Sequence, residues 1–133
     1  MIVLDTHVLV WLDGDSADLG AEAARLIDDE FAHDGVAVSA ISFWEIAMLN
    51  TKGRLDIAKP LMLWREELLA AGLLEVPLDG RLGITAAELP EFHGDPADRL
   101  IVATALSAGC NLLTADRQIL DWPGTLESID ARR

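Results

Sequence analysis

Very little in this chain would staple or anchor it. It holds a single cysteine, Cys110, so no internal disulfide can form. That excludes a disulfide-built secreted scaffold and fits a reducing compartment. No apolar run approaches the ~20 residues of a membrane span. The N-terminal apolar run is broken by Asp5 and Asp13 and follows no basic residue, unlike a signal peptide. The expectation is a cytoplasmic protein with no membrane association. Positive charge is also scarce: 10 Lys and Arg stand against 23 Asp and Glu, a net charge of −13. Such a chain cannot grip nucleic acid by bulk positive charge. A nuclease is not excluded, because carboxylates that hold divalent cations raise the negative count and the cations reverse the local sign. A basic partner protein would suit the same surface.

What is present is a well-filled, patterned chain. Its 133 residues are 51% hydrophobic, which excludes disorder and predicts one domain over residues 1–133. No Gly, Ser or Pro tract marks a linker, and no repeat is visible. Short apolar runs at Ile2–Leu4, Val36–Val38, Leu73–Val76, Asn111–Thr114 and Thr125–Ile129 read as strands. Helical patterns fill much of the space between: Thr6–Leu12, Ala17–His33, Ser42–Leu49, Pro60–Ala71, Thr85–Leu89, Pro96–Ser107 and Asp116–Leu120. Buried strands alternating with helices predict an α/β fold with a central parallel sheet. Ligands of such sheets bind outside the carboxyl ends of the strands.

Four acids stand where acids are costly. Asp5 directly follows the apolar Ile2-Val3-Leu4, and Asp116 follows Leu112-Leu113-Thr114-Ala115. Glu45 lies in the apolar stretch Ser42-Phe43-Trp44-Glu45-Ile46-Ala47-Met48, and Asp98 follows Asp95-Pro96-Ala97. Each has a structural reading as well. Asp5 and Asp116 can cap the following helix, and Ser42-x-x-Glu45 spells a capping box. Asp95 suits an N-cap, with Pro96 at the first helical position and Asp98 in the positive first turn. As a set, however, acids at strand exits and helix starts converge on one rim of a parallel sheet. Carboxylates so crowded cannot all stay ionised without cations. All-oxygen donors suit Mg²⁺ or Mn²⁺, and His and Cys are too few and badly spaced for zinc. An all-carboxylate site of this type activates water for attack on a phosphate, and no side-chain nucleophile is evident.

These residues fall into segments that are similar to those of a known family. Asp5-Thr6-His7-Val8-Leu9-Val10-Trp11, Ser39-Ala40-Ile41-Ser42-Phe43-Trp44-Glu45-Ile46-Ala47, His93-Gly94-Asp95-Pro96-Ala97-Asp98-Arg99-Leu100-Ile101-Val102-Ala103-Thr104-Ala105 and Leu112-Leu113-Thr114-Ala115-Asp116-Arg117 occur in this order along nearly the whole chain. In them the chain resembles the PIN-domain nucleases and, among those, the VapC toxins of toxin–antitoxin pairs. The resemblance implies a three-layer α/β/α fold with a short, mainly parallel central sheet. It implies a metal-dependent endoribonuclease in which Asp5, Glu45, Asp98 and Asp116 surround Mg²⁺ or Mn²⁺, supported by Thr114 and Thr6. It further implies a homodimer, a VapB-like antitoxin that blocks the site, and products with a 5′-phosphate and a 3′-hydroxyl.

Several of the few bases have a functional and a structural reading. Arg99 and Arg117, each beside a site acid, are candidate RNA phosphate contacts, with ion pairing as the alternative. Lys52 and Arg54 form a candidate RNA rim, with an exposed turn as the alternative. The stretch Asp13–Asp34 carries eight acids and one base, Arg25, and reads either as a solvated helix face or as a docking surface for a basic antitoxin segment. Leu61, Met62, Trp64, Leu68 and Leu69 read as core, with part of the set free to line a dimer or antitoxin groove. A phosphatase or phosphoacceptor fits poorly. There is no Asp-x-Asp at the first strand, and Lys52 and Lys59, the only lysines, both come early. The remaining alternative is a degenerate PIN-like binding module that acts through a protein partner.

Overall fold

The computed structural model describes all 133 residues. In chain order the elements are β1 (Ile2–Leu4), α1 (Thr6–Asp13), α2 (Ala21–Ala32), β2 (Val36–Ser39), α3 (Ala40–Thr51), α4 (Leu61–Ala70), β3 (Leu74–Val76), α5 (Gly80–Ala87), α6 (Pro96–Ala108), β4 (Asn111–Thr114), α7 (Arg117–Leu120) and β5 (Ser128–Asp130). The sheet order is β3-β2-β1-β4-β5, and every pairing is parallel. Helices cover both faces, so the three-layer α/β/α architecture is the one observed. No helix is long and apolar enough to cross a membrane.

The period of two along each strand divides the core. Ile2, Leu4, Val36, Val38 and Leu113 point to one face, where they meet Val8 and Leu9 of α1, Ile27 of α2 and Trp64 of α4. Val3, Ala37 and Leu112 point to the other and meet Ile101, Val102 and Ala105 of α6. β1 and β2 are buried on both faces, which is why their sequences are unbroken apolar runs.

α6 follows its local signals closely. The Asp95 carboxylate accepts from the Asp98 N–H at 2.9 Å, Pro96 opens the helix, and Gly109 closes it in the left-handed conformation (φ +65°).

Several boundaries differ from the sequence expectation, four of them with a visible cause. The helix expected from Ala17 starts at Ala21, because residues 16–20 are held as a turn and the Gly20 N–H donates to the Ala131 carbonyl at 2.9 Å. α3 begins at Ala40 rather than Ser42, with Ser39 as its N-cap. The Ser42–Glu45 capping box therefore does not form. α5 starts at Gly80 rather than Thr85, because the Asp79 carboxylate accepts from the Leu82 N–H at 2.9 Å. β5 is shifted to Ser128–Asp130 by its register with β4, which sets Leu112 against Ser128.

Much of the acidic stretch Asp13–Asp34 is an exposed face. Asp13, though exposed, is a partnered acid: its carboxylate accepts from the Trp64 indole N–H at 2.9 Å. Glu30 is another, pairing with the N-terminal amine at 3.0 Å. Of the apolar α4 set, Trp64 is buried, Leu61, Leu68 and Leu69 pack against the core, and Met62 is 79% exposed.

Candidate active site

The chain steps from β1 to β2 and β3 on one side, then returns to β4 on the other side of β1. The crevice between β1 and β4 is therefore the topological switch point of the sheet, where such folds bind ligands. Asp5 leaves β1 at that crevice, and Asp116 follows β4 there. Glu45 comes from α3, which starts directly after β2, and Asp98 from the first turn of α6. All four line one open pocket of about 350 Å³, together with His7, Trp11, Asp95, Ala115 and Arg132.

Hydroxyls hold the carboxylates in place. Asp5 is buried; one of its oxygens accepts from the Thr6 N–H at 2.8 Å, and the other accepts from the Thr114 hydroxyl at 2.6 Å. The Thr114 oxygen in turn accepts from the Asp116 N–H at 3.0 Å. One side chain of β4 thus sets the relative position of two acids. The Thr6 hydroxyl lies 2.5 Å from a Glu45 carboxylate oxygen and 2.9 Å from the Ser42 hydroxyl. Thr6 has one proton to give, and the carboxylate can only accept, so Thr6 donates to Glu45 and accepts from Ser42. Ser42 is fully buried and serves this network rather than a helix cap. The capping readings of Asp5 and Asp116 coexist with their place in the pocket: each caps the helix it precedes while one edge faces the cavity.

The electrostatics are those of crowded negative charge. Burial raises the Asp5 pKa, against the pull of its bonds from Thr114 and Thr6. Burial likewise raises Glu45, opposed by the Thr6 hydroxyl and assisted by the charges of Asp5 and Asp95. Asp98 is pushed up to about 7, first by burial and then by the charges of Asp95, Asp5, Asp116 and Glu45. Four carboxylates with so little positive charge between them suit a hard divalent cation by donor type. No three of them close to the spacing that would wrap an ion with protein ligands alone.

Gly94 sets the approach of α6 to the pocket. A Cβ there would stand 2.5 Å from the Phe92 ring and 3.0 Å from the Asp98 Cβ.

The bases divide differently from the sequence expectation. The Arg99 guanidinium donates to the carbonyls of Ala86 and Phe92 and lies 5.8 Å from the Phe92 ring centre. It ties α6 to the segment after α5 and lines no part of the acidic pocket. Arg117 pairs with Asp121 at 2.9 Å and stands 3.9 Å from Asp130, so its alternative reading is the observed one. Lys52 and Arg54 do border the site, along a groove that shares His7, Glu45 and Asp95 with the acidic pocket. Arg132 went unnoticed in the sequence. Its guanidinium donates to the Ala115 carbonyl at 2.7 Å and lies 5.7 Å from the Trp11 ring centre. No local signal marks it, because it reaches the pocket only through the pairing of β5 with β4.

Comparisons with known proteins agree with this geometry. The PIN domain family matches residues 2–123. Ribonuclease VapC22 of Mycobacterium tuberculosis is 38% identical over 119 residues, 89% of this chain and 88% of that protein. Among solved structures, VapBC2 from Rickettsia felis, bound to a DNA fragment from its promoter, superposes with a TM-score of 0.71 at 16% identity, over 97% of this chain and 98% of that one. FitAcB from Neisseria gonorrhoeae gives 0.60 at 22% identity, over 98% of each chain. At these identities the structural likenesses speak to the fold. With the ordered motifs, the sheet topology and the sequence match in agreement, the chain belongs to the PIN-domain family, in its VapC branch.

Proposed function

We propose that this protein is a divalent-metal-dependent endoribonuclease and the toxin of a toxin–antitoxin pair. The observation that carries the reading is the convergence of Asp5, Glu45, Asp98 and Asp116 on one pocket at the switch point of the sheet. The 38% identity to a ribonuclease supports the substrate class.

The donor set fits Mg²⁺ or Mn²⁺. Bound there, such an ion would lower the pKa of a coordinated water and offset charge on the attacked phosphate. The chain's own residues prepare the site. Thr114 and the Thr6 N–H orient Asp5, the Thr6 hydroxyl orients Glu45, and the α6 N-terminus presents Asp98. No Ser, Cys or Lys lines the pocket, so water is the attacking group. Its oxygen would bond to phosphorus as the bond to the 3′ oxygen breaks. The products would carry a 5′-phosphate and a 3′-hydroxyl. Arg132, at the pocket wall, is the base placed to meet the phosphate.

The reading includes a VapB-like antitoxin that covers the site, a homodimer and a cytoplasmic location. A structural neighbour, a toxin–antitoxin complex from Klebsiella pneumoniae, supports the antitoxin by analogy.

The test is cleavage of single-stranded and structured RNAs by antitoxin-free protein in Mg²⁺, Mn²⁺ or EDTA, beside Asp98→Asn. Cutting that requires the metal and disappears in the variant is the expected result. Cutting that survives EDTA and Asp98→Asn would overturn the mechanism. An absence of cutting with metal binding intact would point to the binding-module alternative.

A further inference from the structure

We infer that Trp44, Lys52 and Arg54 form a subsite for an unpaired nucleotide segment flanking the cleaved phosphate. Trp44 stacks a base, and the two cations hold the backbone that runs on from it. The inference rests on the ribonuclease reading and adds to it the conformation of RNA that the site accepts.

The first observation is continuity. The groove along α3 shares His7, Glu45 and Asp95 with the acidic pocket, so a chain lying in one enters the other. Trp44 lines the groove and adjoins Glu45, one of the residues the two cavities share. Trp44, Met48 and Lys52 are spaced by four and share one stripe of the helix surface. That stripe is about 12 Å long at 1.5 Å per residue. It is a short track that starts beside a site carboxylate and ends on positive charge.

The second observation is that Trp44 contributes little to the fold. It is 54% exposed. The Trp64 indole donates to Asp13 and the Trp122 indole to the Pro90 carbonyl, and each ring pairs edge-on with a phenylalanine. Trp44 has neither kind of partner. An exposed indole on a mainly apolar groove edged by charged side chains is the form that base-stacking platforms take.

The third observation is charge. In a chain of net charge −13, Lys52 and Arg54 are bases on this groove. Lys59, Arg65 and Arg117 pair with Glu67, Glu75 and Asp121. Lys52 and Arg54 make no ion pair and are exposed at the carboxyl end of α3. A phosphate backbone approaching an acidic protein would be held where cations are free. A paired strand would keep its bases stacked inside the duplex and leave Trp44 uncovered. The chemistry therefore selects single strands, loops or bulges.

Trp44 also borders the exposed Met62 on α4, a feature that a protein partner could cover. Continuity with the acids and the free cations favour RNA, and the test separates the two.

The experiment measures binding of a fluorescein-labelled 12-nucleotide RNA, single-stranded or annealed to its complement, by fluorescence anisotropy in Mg²⁺. Asp98→Asn protein serves as the uncleaving background. Trp44→Ala is expected to weaken single-strand binding by about 5- to 100-fold, as loss of one stacked base would. Trp44→Phe should retain most of the affinity, and the duplex should bind poorly throughout. Lys52→Gln combined with Arg54→Gln should reduce the slope of log K against log salt by about 1.4, two single-strand phosphate contacts. In the cleaving protein, Trp44→Ala should raise KM and leave kcat nearly unchanged. Unaltered affinity and KM in Trp44→Ala, with RNA still cut, would overturn the subsite and leave the ribonuclease reading standing. So would Trp44→Ala protein that binds RNA normally but sediments as a different oligomer, which would place Trp44 in a protein contact. A parent protein that neither binds nor cuts any RNA would overturn both.

Discussion

Asp98 shows how one side chain serves the site at a cost to the fold. Its pKa of about 7 means that the folded, metal-free protein keeps a proton there that the unfolded chain releases near the ordinary aspartate value of 3.8. Folding therefore takes up a proton between those values, and stability falls as pH rises through that window. Without metal, the protein is expected to be more stable at pH 5.5 than at pH 8. Asp98→Asn should remove most of that slope and raise stability at pH 8. Urea unfolding in EDTA at the two pH values would check both points, and a wild-type protein equally stable at each would contradict the burial argument. Thr114 offers a second test at this scale. Thr114→Val keeps its shape but removes the donor to Asp5 and the acceptor for the Asp116 N–H. Loss of a partner that orients a proposed metal ligand is expected to cost about 10- to 100-fold in activity or metal affinity. Thr114→Ser should keep most of both, as read by kcat and by metal titration.

At the level of elements, α6 carries Asp98 and owes its start to Asp95. Asn caps as well as Asp, so Asp95→Asn is expected to leave thermal stability nearly unchanged. Asp95→Ala should cost about 1 kcal/mol. If both variants lost the same stability, the capping account of Asp95 would fail. Gly94 tests the approach of the same helix. In Gly94→Ala the new Cβ must displace the Phe92 ring and press on Asp98. The expected result is a folded protein, by circular dichroism, with cleavage reduced about 10-fold or more, as small misplacements of a site cost. Arg99 belongs to this scale as well. Its bonds to the Ala86 and Phe92 carbonyls join α6 to the chain that leads into Gly94. Arg99→Ala would therefore be read in stability before it is read in RNA affinity.

For the molecule as a whole, the balance of charge is the governing quantity. A net charge of −13 repels RNA at long range, and the four site acids repel one another at short range. The proposed divalent cation would relieve both at one place. Since it would bind the folded pocket and not the unfolded chain, Mg²⁺ at 100 times its Kd should stabilise the protein by about 2.7 kcal/mol. Thermal melting with and without EDTA would show the shift. Asp5→Asn should abolish it, and a wild-type Tm indifferent to Mg²⁺ and Mn²⁺ would contradict the proposed metal site.

Much of this was written locally. The apolar runs of β1, β2 and β4, the cap and stop of α6, and the ordered acidic motifs are short-range signals. Backbone sterics and helix-end hydrogen bonding allow them few outcomes. Parallel pairing of buried strands then requires acids at their exits to meet. The tertiary structure decided what depends on partners distant in sequence. Ser42 spells a capping box with Glu45, yet a buried bond to Thr6, 36 residues away, claims it, because Ser39 already caps α3. Arg99, a candidate phosphate contact with ion pairing as its alternative, is taken by two carbonyls instead. Arg132, which no local signal marks, is carried to the pocket wall. Side-chain hydrogen bonds and ion pairs go to whichever groups the folded sheet brings within about 3 Å, and that choice is made in three dimensions.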